Sequence, residues 1–123
     1  MQQLKQALDN CKVGYEMYPL YHKLNNMIFF LEGKEEKEDI KVDYLRIDNV
    51  TALIQLSNCL KVFPQFEEEL RELQNALDAK LVQYKKYVVY CQTLKDGPLE
   101  EKYYSHIIDS IKELEREKID RFR

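Results

Sequence analysis

Apolar residues recur along the chain at spacings of three and four, the period of an α-helix with one buried face. Leu4, Ala7, Leu8, Cys11 and Tyr15 predict an amphipathic helix over about 2–17. Pro19 has no amide donor, so it either kinks that helix or opens a new one in its first turn. Beyond it Leu20, Leu24, Met27, Ile28 and Leu31 continue a stripe, and Gly33 is placed to cap its end. Residues 34–43 read as a charged exposed segment, after which Ile40, Val42 and Tyr44 alternate with polar residues in the manner of a strand. No other stretch offers a partner strand, so an extended lead-in to the next helix is expected, with strand pairing between molecules as the lesser option.

Asp48 is placed to cap a helix over roughly 49–62 whose buried face is Val50, Leu53, Leu56, Leu60 and Phe63. Pro64 breaks the pattern. The clearest element runs from Gln65 to about Lys95, with the stripe Phe66, Leu70, Leu73, Leu77, Leu81, Tyr84, Val88 and Cys91, close to a heptad repeat with one slip. Glu67 and Arg71 stand four apart on its outside in the favourable order for an ion pair. Asp96-Gly97-Pro98 ends it, Gly97 suiting a left-handed cap and Pro98 the start of the next helix. That last helix, about 98–121, carries Tyr104, Ile107, Ile108, Ile111 and Leu114 and then thins to Ile119 and Phe122.

These elements predict an all-α fold: an elongated four- or five-helix bundle built around a long C-terminal antiparallel helical hairpin. Residues 1–123 form one helical domain, comprising an N-terminal helical segment (2–32) broken at Pro19, a charged loop or extended segment (33–47) and a hairpin core (48–123). A helix of about 30 residues is roughly 45 Å long. A compact globule of this chain length is only about 35 Å across. The longest helix therefore overhangs a round bundle unless the bundle is elongated, the helix bends, or its end packs on another chain.

Composition narrows the function. With only three Gly and three Pro among 123 residues, turns are few, which argues against a β-sandwich and against disorder. The net charge of −3 gives no excess of cations for a nucleic-acid face. In Lys112–Arg123 five basic residues alternate with four acidic ones, a solvated mixed-sign helix face. The longest apolar run, Met27–Leu31, is five residues, against about 20 for a membrane span. The start of the chain lacks the apolar stretch of a secretion signal. Cys11, Cys59 and Cys91 are odd in number and widely spaced, and they read as small core hydrophobes of a reducing, cytoplasmic protein.

Chemistry is sparse. His22 and His106 are the two histidines, and neither follows a Glu at the three-residue spacing of di-iron bundles; Pro19 and Tyr103 stand there instead. No zinc motif, phosphate-cradling loop or dinucleotide fingerprint can be written. Cys91 and His106 fall on adjoining helices at similar distances from the turn, a placement that ordinary helix packing explains without catalysis. Glu67-Glu68-Glu69 sits where a helix dipole favours negative charge. No catalytic, cofactor-binding or metal residue is assigned, and no enzyme is expected.

Nine tyrosines with no tryptophan are the unusual feature. Tyr15, Tyr18 and Tyr21 repeat by three, as do Tyr84, Tyr87 and Tyr90, with Tyr103 and Tyr104 across the turn from the second group. A three-residue spacing drifts around a helix, so part of each triplet stands at the edge of the core, where a ring with a polar tip serves a core margin or a protein interface equally. Tyr84, Tyr87, Tyr90, Tyr103, Ile119 and Phe122 are the interface candidates. The function expected is a non-catalytic protein–protein interaction module, a small helical subunit, adaptor or assembly factor. The alternative is a small regulator or inhibitor that blocks one target protein. The partner expected is another protein presenting a helix, a homodimer included, with neither nucleic acid nor membrane insertion.

Overall fold

The computed structural model describes residues 5–6, 18–34 and 40–122. Its α-helices are α1 (Tyr18–Leu31), α2 (Val50–Leu60), α3 (Glu67–Gln92) and α4 (Ser105–Arg121), joined by 3₁₀ turns at Tyr44–Arg46, Pro64–Phe66 and Glu101–Tyr103. Among the described residues there is no strand, and the all-α expectation holds. The helix expected over 2–17, with Cys11 and Tyr15, lies outside the described residues apart from Lys5 and Gln6, which are helical.

Pro19 stands in the first turn of α1, where its missing amide costs nothing. Leu20, Leu24, Met27 and Ile28 form the buried side of that helix. Gly33 ends it with φ +72°, its amide donating to Phe30 O at 3.0 Å while Lys34 N reaches back to Phe29 O at 3.0 Å. A side chain at Gly33 would be strained in that left-handed conformation.

Residues 40–43 carry no regular secondary structure and lead into the first 3₁₀ turn, with Val42, Tyr44 and Ile47 buried. Two buried lysines hold this segment. Lys23 on α1 donates to Ile40 O at 3.0 Å, and Lys80 on α3 donates to Leu45 O at 2.9 Å. Lys23 thus takes one carbonyl of the segment and Lys80 one of the turn that follows, and the two bonds pin the chain to α1 and α3 without a partner strand.

Asn49 rather than Asp48 caps α2: its side chain accepts from Ala52 N at 3.1 Å. Both residue types cap well, and the chain turns one residue later than expected. Pro64–Phe66 then makes a tight turn that drops Phe66 into the core, its ring 6.1 Å from those of Phe30 and Phe63. The α3 helix has 26 residues, the longest element described, about 39 Å at 1.5 Å per residue. All eight of its expected core positions are buried or half-buried.

The final helix departs further from expectation. It starts at Ser105, not Pro98, because residues 93–104 turn back first. Thr93 Oγ1 donates to Val89 O at 2.8 Å, Gly97 takes φ +112°, and Leu99 N donates to Cys91 O at 2.9 Å. One apolar cluster draws on all four helices and on the 40–47 segment, from Leu20 to Leu114.

Candidate functional site

Most polar groups near the core are spent on structure. Lys80 is 1% exposed; besides Leu45 O it meets Tyr84 Oη at 3.3 Å and lies 5.1 Å from the centre of the Tyr84 ring. Burial pushes the Lys80 pKa down, and the Asp48 and Asp43 carboxylates pull it back up. The Tyr84 phenol is pushed up to about 12, first by burial and then by Asp48. At the far end of α4, Arg121 donates to both oxygens of buried Glu117 and, at 3.0 Å, to Asp78 on α3. Glu117 foremost raises the Arg121 pKa. These clusters tie elements together, and their donors and acceptors face one another.

The groove between α2 and α4 encloses about 220 Å³. Thr51 Oγ1 donates across it to Glu113 at 3.0 Å, and Arg116 and Lys61 stand among Glu113, Glu117 and Asp120. It is a seam between two packed helices, with two cations set among three carboxylates and Ile54 at its wall. Among the described residues no group of three His, Cys, Asp or Glu could hold a metal ion. Cys59 and Cys91 are free, buried thiols, and burial raises the Cys59 pKa, the opposite of what a nucleophile needs. His106 is exposed while Cys91 is buried.

The interface candidates divide. Tyr84 belongs to the core, where Lys80 occupies its hydroxyl, so it is a core-margin ring and not free surface. Tyr87, Tyr90, Tyr103, Ile119 and Phe122 are exposed. Tyr87, Tyr90 and Tyr103 gather toward the end of α3 and the connection that follows, with Val89 and Leu99 also exposed there. Ile119 is 14 residues past the start of α4, about 21 Å along the axis, so it and Phe122 are remote from that aromatic end.

A second surface emerges that the main stripes do not reveal. On α3, Val82, Lys85 and Val89 fall within about 60° of one another, Val82 and Val89 roughly 130–150° and Lys85 about 90° from the centre of the buried stripe. On α4, Ile108, Glu115, Ile119 and Phe122 likewise fall within about 60°. Lys85 and Glu115 join the two rows through an exposed ion pair at 3.8 Å. Val82, Val89, Ile119 and Phe122 are 54%, 56%, 60% and 71% exposed, and Ile108 is half-buried. The signal for this face lies in the sequence as seven-residue repeats, Val82 to Val89 and Ile108 to Glu115 to Phe122, offset from the dominant stripes.

No family model, curated protein or solved structure matches this chain.

Proposed function

We propose that this chain is a non-catalytic protein–protein interaction module, a small helical subunit, adaptor or assembly factor that binds another protein through α3 and α4. The observation that carries this reading is the exposed apolar row on each helix, repeated at helical spacing on the side away from the core. Patches of this kind, rimmed by charge, are characteristic of protein interfaces. The pairs Asp78–Arg121 and Lys85–Glu115, whose numbering rises on one helix as it falls on the other, support an antiparallel hairpin as the base of an elongated bundle. Lys85, Lys86 and Lys112 alternate with Glu115 and Asp78 on this side, a mixed-sign surface suited to a protein and not to a polyanion. No described helix is long and apolar enough to cross a membrane. The free thiols Cys59 and Cys91 support a cytoplasmic, reducing location.

A photo-crosslinking amino acid placed at Val82 in the source cells tests the reading. Covalent capture of a protein chain there, above the level at the exposed control position Lys41, is the expected result. Capture no greater than at Lys41 overturns it. The exposed rings Tyr87, Tyr90 and Tyr103, at the end of α3 and in the connection after it, favour the second reading, a regulator that blocks one target. Capture of a single target from Tyr90 and none from Val82 would decide for that second reading.

A further inference from the structure

We propose that the outer face of α3 and α4 binds a second copy of this chain, the two helix pairs stacking face to face about a twofold axis parallel to the helices. The proposal rests on the interaction-module reading and names its partner. A closed dimer needs one patch that complements itself, each residue meeting its counterpart twice. Within one chain, Asp78–Arg121 and Lys85–Glu115 set α3 and α4 in register. In that register Val82 stands within one helical turn of the level of Ile119, and Val89 within one turn of Ile108.

Rotation about the twofold lays α3 of one copy over α4 of the other at the same levels. Val82 then meets Ile119 of the partner subunit, Val89 meets Ile108 of the partner subunit, and Lys85 meets Glu115 of the partner subunit. Val82 and Val89 thus face apolar residues and Lys85 faces its opposite charge, in both directions. At its centre the face carries Lys85 on α3 and Glu115 on α4, and because the twofold exchanges the helices, each of these charges meets its opposite on the other copy. Lys86 and Lys112 fall on the rim, where solvent screens them.

The area is sufficient. Val82, Val89, Ile119 and Phe122 retain between half and seven-tenths of their surface, on the order of 400 Å² of apolar area. The stems of Lys85, Lys86 and Lys112 extend the patch toward the roughly 600–800 Å² per partner of a stable interface. Four helices with antiparallel neighbours result, a packing that buries heptad-spaced rows of this kind.

Sedimentation of the full chain between about 1 and about 100 µM, beside circular dichroism, tests the proposal. The expected result is a dimer in the wild type and a monomer of unchanged helix content in Val82→Glu and in Ile119→Glu, both exposed positions. Lys85→Glu and Glu115→Lys should each weaken association at least about tenfold on their own. Mixed one to one, they should recover it, because at both crossings a carboxylate of one copy again faces an ammonium of the other. The pair within each chain stays repulsive in that mixture, so recovery reports contact between chains. A wild type that stays monomeric, a dimer indifferent to Val82→Glu and Ile119→Glu, or a mixture no tighter than its components would each overturn the proposal. A monomeric wild type that still captures a different protein at Val82 overturns the second copy alone, whereas one that captures nothing there overturns the interaction-module reading as well.

Discussion

The inner and outer sides of α3 are written in the same spacing and meet different fates. On the inner side Leu73, Leu77, Leu81 and Tyr84 are buried with α2, α4 and the 40–47 segment. On the outer side Val82 and Val89 repeat just as regularly yet remain more than half exposed. Periodicity thus says that a row exists; the number of residues in the row and the size of its side chains decide what it holds. Eight core positions with mostly Leu and aromatic side chains compete for the interior and win it, and two valines flanked by lysines are left for something else.

The comparison breaks most visibly at Leu77, which is 1% exposed. Leu77→Ala removes buried methyl groups and leaves a cavity that its neighbours fill only in part, so a loss of about 3–4 kcal/mol is expected by urea denaturation. A loss under about 1 kcal/mol would mean that the inner row is loosely packed and the contrast between the two sides is false.

Arg121 sharpens the comparison from the α4 side. Its side chain is 10% exposed and holds Glu117, whose side chain is 4% exposed, together with Asp78. Arg121→Ala leaves Glu117 buried without its cation, and about 2–3 kcal/mol of stability should disappear. Truncating an exposed pair such as Lys85–Glu115 within the monomer should cost about 0.5 kcal/mol or less. Chemical denaturation of the two variants side by side, at a concentration low enough to keep the chain monomeric, measures the difference. Equal losses would remove the distinction between a structural cluster and a surface pair.

Much of this was legible in the sequence, and what was not has identifiable causes. The stripe from Phe66 to Cys91, the cap at Gly33 and a lead-in to Tyr44 that is no strand follow from spacing and from residue types with few alternatives. Lys80 was missed although it stands three residues after Leu77 and four before Tyr84, a core register. Residue type argued for solvent, and only the distant Leu45 carbonyl gives its ammonium a place inside. Pro98 suits the first turn of a helix, but the bond from Leu99 N to Cys91 O folds the connection back and delays α4 to Ser105. Spacing alone groups Tyr84 with Tyr87 and Tyr90. At three residues a helix turns about 300°, so neighbours in such a triplet diverge by about 60°; Tyr84 went inward while Tyr87 and Tyr90 stayed out.

Along α3 the main apolar cluster ends at Tyr84, and the titration of its phenol reads that boundary. Its folded pKa, about 12, lies above the roughly 10 of an unfolded tyrosine. The stability it contributes is fully present below pH 10 and is lost as pH rises from 10 toward 12. Lys80 runs the other way: its folded pKa is lowered, so the cost of burying its charge is relieved as pH approaches the unfolded value of about 10.4. A loss of helix above pH 10 thus belongs to the buried phenols. Tyr84→Phe, which also forfeits the bond from Lys80, should cost about 1 kcal/mol at neutral pH. The alkaline unfolding should shift upward in the variant, followed by circular dichroism and phenolate absorbance. An unchanged alkaline transition would place Tyr84 on the solvent side of the comparison.

The smallest effect is the most discriminating. Val82 contributes little to the monomer's core, and alanine is a better helix former than a β-branched residue by about 0.5 kcal/mol. In dilute solution Val82→Ala should therefore stabilise the chain slightly, the opposite sign from Leu77→Ala on the same helix. At high concentration the same change removes apolar surface from each of two facing rows, and the variant should then be less resistant to urea than the wild type. A substitution whose sign reverses with protein concentration cannot be acting through the interior of one chain, because core packing is indifferent to how many copies are present. Denaturation midpoints measured across the association range would show that crossing. A constant sign, in either direction, would mean that the outer row of α3 has no counterpart on a second copy.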